Sequence, residues 1–366
     1  MKILITTEQY YPVKSGVSTV VTSIAEELVR VGHSVFVATG FQNRKYLEHN
    51  GVKIFEFRVS GGFGNYYRGE INKYKEFVIN FDCDVMINEC VQTWSTDLIL
   101  QDLQNMNAIK LLHSHGFSLL AYRTKNPWAY FKSKLYYMKL HKYLKNYQHI
   151  FLLHNKTVET PYLKKYGISH FSYLPNGVDG SFIVTQPHKQ EKYILNISNY
   201  YPMKKQEFLL EAFYRSTTNY KLILIGSSIL KNYLNTLKQL KKEFDQKYGF
   251  KDVEFLYDIS REDTIKYLEN AALFLHSSQL EVFPMVIVES MAKGIPYIST
   301  DVGNVKDLRG GVVINSINEM AKNIDILLTD SSIYKTLSKK GVEQVVKQLT
   351  WNRIVGELIK KCKKFL

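Results

Sequence analysis

Between Ser18 and Val31 the apolar residues Val20, Val21, Ile24, Ala25, Leu28 and Val31 recur at helical spacing. Gly32 follows the last of them, as a helix stop should. Two short β-rich runs bracket this helix, KILITT at 2–7 and SVFVATG at 34–40. VKIFEFRV (52–59), DVMIN (84–88), IKLLHSH (109–115) and HIFLLHN (149–155) continue the theme. Strand and helix patterns that alternate in this way predict a parallel sheet with helices on both faces.

The alternation breaks at YLPNGVDGSFIVTQPHKQEK (173–192), which has turn residues and no periodicity and reads as a linker. A second series follows: YILNIS (193–198), KLILIG (221–226), VEFLYD (253–258), LFLHSS (273–278), PYISTD (296–301) and GVVIN (311–315). Helical patterns lie near 204–216, 228–247, 261–270, 284–293 and 317–327. The expected fold class is α/β, with two doubly wound Rossmann-like domains at 1–178 and 193–348 joined by a linker at 179–192. A last helix at 349–366 carries Trp351, Ile354, Val355, Leu358, Ile359 and Cys362 on one face. Open α/β sheets bind ligands at the carboxyl ends of their strands, so two such domains predict a cleft between those ends. Candidate site residues are those just after strands.

Composition narrows the class. The chain has 366 residues, 45% of them hydrophobic and 22% charged, as in a soluble globular protein. Its apolar runs fall far short of a spanning helix. MKILITTEQYYP does not read as a signal peptide. Cys83, Cys90 and Cys362 show neither metal-ligand spacing nor a disulfide framework, which suits a reducing cytoplasm. The net charge of +14 is uneven: between Ala121 and His170 there are ten Lys or Arg and one acid, Glu159. A basic face of this kind suits an anionic partner: membrane lipid, nucleic acid or a phosphorylated substrate.

EVFPMVIVE (281–289) sets two glutamates around an apolar run. A buried carboxylate without a partner is costly, so each glutamate needs a partner, water or a ligand. Glu281 follows the strand LFLHSS, Pro284 suits a first helical turn, and Gly294 ends the helix. The free N–H groups of Met285 and Val286 would then form an anion site at the helix N-terminus. From Phe283 to Glu289 the helix rises about 9 Å, close to the reach from a sugar nucleotide's diphosphate to its ribose. A carboxylate there can accept two hydrogen bonds from a cis-diol.

E-x7-E followed by SMAKGIP resembles the donor-site motif of retaining glycosyltransferases of family 4, which have the two-domain GT-B fold. The resemblance implies that Glu281 lies against the donor sugar and Glu289 binds the ribose hydroxyls. YPVKSGVSTVV (11–21) is similar to the family's phosphate-facing loop, with Gly16 at the matching glycine. LLHSHGFS (111–118) resembles the strand end whose histidine, here His115, sits by the reacting carbon. LPNGVDGSF (174–182) and ISTDVGNVKDL (298–308) are similar to the family's linker and later nucleotide-side loop. Trp351 matches the tryptophan that opens the helix returning to the first domain.

One departure falls on the diphosphate. The family places an Arg and a Lys after the first strand of the second domain, and here ISNYYPMKKQEF puts Asn199 at the Arg, Lys204 at the Lys and Lys205 at the following Gly. Either Lys205 compensates, or Lys204 and the helix N-terminus carry the leaving group.

The resulting expectation is a retaining transferase moving a hexose from a nucleotide-diphosphate sugar, with UDP as the expected nucleotide. The acceptor would be a saccharide or lipid-linked saccharide of cell-envelope polysaccharide assembly. His115, Glu281 and Lys204 would be catalytic; Gly16, Asn199, Lys205, Phe283, Met285, Val286 and Glu289 would bind the donor. No metal or other cofactor is expected, because no His, Asp or Glu cluster shows ligand spacing. His113, His154, Asn88 and Glu89 also sit at strand ends, where they either line the cleft or touch the acceptor. The expected location is cytoplasmic, with peripheral attachment to the inner face of the membrane through the basic segment 127–148. An amphipathic helix packed on the sheet with a solvated basic face accounts for the same segment. A sugar-nucleotide epimerase of the same fold is a second reading, and a basic nucleic-acid-binding protein a third. The third lacks any recognised module, and no nucleic-acid partner is expected.

Overall fold

The computed structural model describes residues 1–366 apart from 63–64, 118–126, 185–190 and 228. Arg123 and Lys125 of the basic segment and linker positions 185–190 therefore lie outside the described residues. Two compact units emerge: Met1–Asn176 together with Trp351–Leu366, and Gly177–Thr350.

In the first unit the chain runs β1 (Lys2–Thr6), α1 (Gly16–Arg30), β2 (Ser34–Gly40), β3 (Glu48–His49), β4 (Val52–Phe57), β5 (Val59–Gly62), β6 (Asn65–Gly69) and α2 (Ile71–Asn80). It continues through β7 (Val85–Glu89), α3 (Trp94–Asp97), β8 (Ile109–Ser114), α4 (Pro127–Leu144), β9 (His149–Leu152), α5 (Glu159–Lys165) and β10 (Phe171–Tyr173). One sheet holds most of these strands in the order β10-β9-β8-β7-β1-β2-β4-β3, parallel except for the β3–β4 pair. Its strands are nearly all apolar because helices cover both faces. Ser15 caps α1 by accepting from Ser18 N–H, and Val20, Val21, Ile24, Ala25 and Leu28 turn to the core as the spacing predicts, whereas Val31 caps the helix end and is exposed.

The second unit runs β11 (Tyr193–Ile197), α6 (Gln206–Arg215), β12 (Lys221–Gly226), α7 (Lys231–Tyr248), β13 (Val253–Tyr257) and α8 (Arg261–Asn270). Then come β14 (Leu273–His276), α9 (Met285–Ala292), β15 (Tyr297–Thr300), β16 (Gly311–Ile314), α10 (Ile317–Thr329) and α11 (Ser331–Gln348). Its sheet, β13-β12-β11-β14-β15-β16, is parallel throughout. The final helix, α12 (Trp351–Cys362), buries Trp351, Ile354, Val355, Leu358 and Cys362 and packs on α1 of the first unit.

Both sheets reverse direction once. In the first, β1 lies between β2 and β7; in the second, β11 lies between β12 and β14. Crossovers leave such a point in opposite directions, which opens a crevice at the strands' carboxyl ends. The loops after β1 and β7, and after β11 and β14, are where each unit is shaped to hold a ligand.

Candidate functional site

Lys204 and Glu281 meet at the switch point of the second unit. Lys204 closes a single 3-10 turn after β11, and Glu281 lies in the loop after β14. The two loops are stapled together: Gln279 N–H donates to the Met203 carbonyl at 2.9 Å, and Ser277 Oγ–H to the Lys204 carbonyl at 2.8 Å. The staple brings Lys204 Nζ to 2.5 Å from Glu281 Oε1. His276, the last residue of β14, places Nε2 3.5 Å from the same oxygen, while its Nδ1 pairs with Ser299 Oγ at 3.0 Å. Burial works to raise the Glu281 carboxyl. The His276 hydrogen bond and the Lys204 and His276 charges outweigh it and hold the group at about 2.

The later loop braces this arrangement. Gly303 has φ +54°, and a Cβ there would stand 2.3 Å from the Val282 carbonyl oxygen and 3.0 Å from that of Glu281. Only glycine lets the two backbones approach so closely.

Helix α9 begins one residue later than the sequence suggests. Pro284 is its cap, with φ −73° and ψ 99°, rather than a residue of its first turn. Met285 and Val286 remain in the first turn, half-buried, where their N–H groups have no intrahelical acceptor. Phe283 is buried. Glu289, 5% exposed, pairs through Oε1 with the Arg261 guanidinium at the start of α8, while its Oε2 is buried without a hydrogen-bond partner. A carboxylate oxygen in that position has acceptor capacity to spare for a diol.

The diphosphate-side residues divide. Asn199 Oδ1 accepts from Ser227 Oγ–H at 3.0 Å. Lys205 adopts the left-handed conformation, φ 51° and ψ 39°, and its Nζ lies 3.4 Å from Glu207. Glycine, the residue that the resemblance implies at this position, adopts that conformation without strain.

In the first unit, Glu89 ends β7 opposite His113 of β8, and His115 follows two residues on. Both imidazoles reach one carboxylate oxygen: His113 Nδ1 at 3.0 Å and His115 Nε2 at 2.6 Å from Glu89 Oε2. Burial opposes ionisation of Glu89, but the His113 charge and the hydrogen bonds from both rings hold it at about 2. Burial, followed by the His113 charge, lowers the pKa of His115 despite the pull of Glu89. Among the described residues these three form the group whose ligand-type atoms lie within 4.8 Å of one another, a proximity that sequence spacing does not show. Asn88 is taken out of the acceptor reading: it donates to Thr6 Oγ1 and accepts from Tyr147 O–H inside the core. His154 is buried, and its Nδ1 accepts from Lys156 N–H. Gly16 is the exposed first residue of α1, where a Cβ would meet nothing within 4 Å.

Sequence reasoning missed His276 and Arg261. In the sequence His276 is one residue of a strand pattern, and only the fold shows it as the last strand residue before the Glu281 loop. Arg261 opens a helix that Ser260 caps, but its partner Glu289 is 28 residues away.

Two Rossmann-like units, each with its polar constellation at a topological switch point, define a protein of GT-B fold. Over 100% of its length the chain matches sucrose-phosphate synthase from Thermosynechococcus elongatus, with a TM-score of 0.81 at 18% identity, covering 98% of that chain. It matches Anabaena Alr3699/HepE in complex with UDP and glucose with a TM-score of 0.75 at 16% identity, covering 99% of each chain. In sequence it is 23% identical to the alpha-monoglucosyldiacylglycerol synthase of Acholeplasma laidlawii over 93% of this chain and 92% of that one. Residues 181–344 match the model of the family described as Glycosyl transferases group 1; the chain is a glycosyltransferase.

Proposed function

We propose that this glycosyltransferase moves a hexose from UDP-hexose, with retention of configuration and without a metal ion, to a saccharide or lipid-linked saccharide acceptor. The observation that carries this reading is the joint arrangement of Lys204, Glu281 and His276 beside the N-terminus of α9, with Glu289 on the second turn of that helix. The ammonium of Lys204 has three hydrogens, so it can keep Glu281 and still donate to a diphosphate oxygen. As the bond between the sugar's C1 and the diphosphate oxygen breaks, charge grows on that oxygen. Lys204 and the N–H groups of Met285 and Val286 stabilise it. The acceptor oxygen bonds to C1 on the face the diphosphate leaves, and its proton passes to the departing oxygen. Glu281, ionised and held by two partners, orients the sugar and forms no bond to it. UDP as the nucleotide is supported by the UDP bound in the structurally similar Anabaena protein.

A membrane-side acceptor has its own support. On α4 the exposed Trp128, Phe131, Leu135 and Met138 share one face with Lys132, Lys139 and Lys142, while Tyr136, Tyr137, Leu140 and Leu144 are buried on the other. A helix merely packed on a sheet with a solvated face explains the buried side but not the exposed apolar one. No helix among the described residues is long and apolar enough to cross a membrane, so the proposed attachment is peripheral. The similar Acholeplasma protein is named for synthesis of a glucosyldiacylglycerol, which agrees with a lipid acceptor. We place the protein in the cytoplasm, on the inner face of the membrane.

The deciding experiment is a donor screen by nucleotide release. UDP set free from a UDP-hexose only when an acceptor is present supports the proposal. Interconversion of the donor without release would favour an epimerase.

A further inference from the structure

We propose that Glu89 is a positioning residue that fixes the tautomers of His113 and His115, so that His115 offers the substrate the lone pair of Nδ1 and accepts a hydrogen bond from a sugar hydroxyl there.

The argument starts from one oxygen atom. Glu89 Oε2 stands 3.0 Å from His113 Nδ1 and 2.6 Å from His115 Nε2. A carboxylate oxygen only accepts, so each ring nitrogen facing it carries a hydrogen. A neutral imidazole protonated on one nitrogen presents a lone pair on the other. His113 is therefore the Nδ1–H tautomer and His115 the Nε2–H tautomer. His113 Nε2 and Glu89 Oε1 are both buried with no hydrogen-bond partner. What is left to His115 for a substrate is Nδ1.

Charge points the same way. The two ring centroids are 4.4 Å apart, so two imidazolium ions side by side would be strongly disfavoured. In the tautomers assigned, two neutral rings share one carboxylate and the cluster carries a single negative charge. It repels an anionic group and receives the hydrogen of a neutral hydroxyl. The register makes the device: Glu89 and His113 are directly opposed on neighbouring parallel strands, which presents their side chains on the same face of the sheet. The first sheet thus carries a carboxylate that touches no substrate itself and acts through the rings.

The role given to His115 rests on the transferase reading above; the tautomers do not. Long-range proton–nitrogen NMR of the histidine rings at pH 7.5, assigned with H113N and H115N, tests them without any activity. The expected spectrum shows His113 protonated on Nδ1 and His115 on Nε2. His113 protonated on Nε2, or His115 on Nδ1, overturns the proposal. So does a one-to-one shift of both rings on adding zinc chloride, which would make the cluster a metal site. E89Q, whose amide can donate to a ring nitrogen as well as accept, is expected to populate the other tautomers and to lower kcat at least tenfold with KM for the donor within twofold. E89D is expected to restore part of the loss. If E89Q keeps the wild-type tautomers and wild-type kcat, Glu89 positions nothing. If the tautomers are as assigned but no sugar nucleotide is turned over, the transferase reading fails and the assignment of Glu89 stands.

Discussion

Lys204 Nζ lies 2.5 Å from Glu281 Oε1, although the two residues are 77 apart in the chain. Parallel pairing of β11 with β14 makes them neighbours, and the Met203–Gln279 and Lys204–Ser277 hydrogen bonds hold them there. One ion pair thus links the group proposed to stabilise the diphosphate with the group proposed to orient the sugar.

Lys204→Ala removes the side-chain cation proposed to act on the leaving group. Turnover is expected to fall about a hundredfold, roughly 3 kcal/mol of barrier. Urea unfolding of the same variant separates this from lost stability, since Glu281 would be left without its cation. Normal turnover would move the role to Lys205.

The Glu281 carboxyl also makes stability depend on pH. Its folded value, about 2, lies below the ordinary 4.5, so the folded state binds fewer protons. Its stabilisation is complete above the ordinary value and is lost as pH falls from there toward 2. The gap in urea midpoint between wild type and Glu281→Gln should therefore narrow between pH 6 and 3.5. A constant gap would show that the ion pair does not contribute.

Lys205 stands where the backbone is left-handed. A side chain there costs about 1–2 kcal/mol, and the extra chain entropy of glycine takes back about 0.5–1. The Glu207 contact is half-exposed and contributes little. Lys205→Gly should thus raise stability by about 0.5–1 kcal/mol. Its turnover should stay near wild type if Lys204 and the α9 N-terminus carry the diphosphate. A tenfold loss would show that Lys205 compensates for Asn199.

Much of this was legible in the chain, and the parts that were not have physical reasons. The strands were visible because a parallel sheet covered on both faces makes each one a nearly continuous apolar run. Helix α1 was visible because its buried stripe is regular. Helix α11 was not: over 18 residues it buries only Gly341 and Val345, so it has no stripe to read. Its mid-helix glycine looks like a breaker, but it is needed where the Cα of Gly310 approaches. Helix α2 buries only Tyr74 and Val78 and was missed for the same reason. At the site, Glu281 and Glu289 are candidates through the E-x7-E motif, and Lys204 through the resemblance of ISNYYPMKKQEF to the family's stretch. His276, Arg261 and the convergence of His113 and His115 on Glu89 depend on which strands and helices become neighbours, which no local pattern encodes.

Glu289→Ala should weaken UDP binding by about 1–3 kcal/mol, the loss of hydrogen bonds to a charged acceptor. Arg261→Ala should have a smaller effect in the same direction, because Glu289 would keep its oxygens but lose the group that holds it. Glu281→Ala should lower turnover more than UDP affinity. Calorimetric titration with UDP decides: equal affinity in wild type and Glu289→Ala would refute the ribose role.

Metal dependence has a definite place to appear. Activity should survive EDTA if, as proposed, Lys204 and backbone N–H groups do the work a cation would do at the diphosphate. Loss with EDTA and rescue by manganese or magnesium would point to a missed carboxylate site; rescue by zinc would point to Glu89, His113 and His115, whose ligand-type atoms are already close.

The last expectation concerns α4. Trp128 is 73% exposed, Phe131 54% and Met138 61%, and Lys132, Lys139 and Lys142 are interleaved with them on the same face. Each lysine near an anionic surface contributes about 1 kcal/mol at low salt, and three supply about 3 kcal/mol. Each large apolar side chain that enters the interface adds up to about 1.5–3 kcal/mol, with no dependence on salt. The two contributions can therefore be separated. Wild type should sediment with vesicles rich in phosphatidylglycerol at low salt, and less so as salt rises. Lys132, Lys139 and Lys142 all changed to Glu should abolish binding at low salt. Trp128 and Phe131 both changed to Ser should weaken it equally at every salt concentration. If wild type stays in the supernatant at low salt, or the triple variant sediments as well as wild type, the helix is not a membrane face and the acceptor is a soluble saccharide.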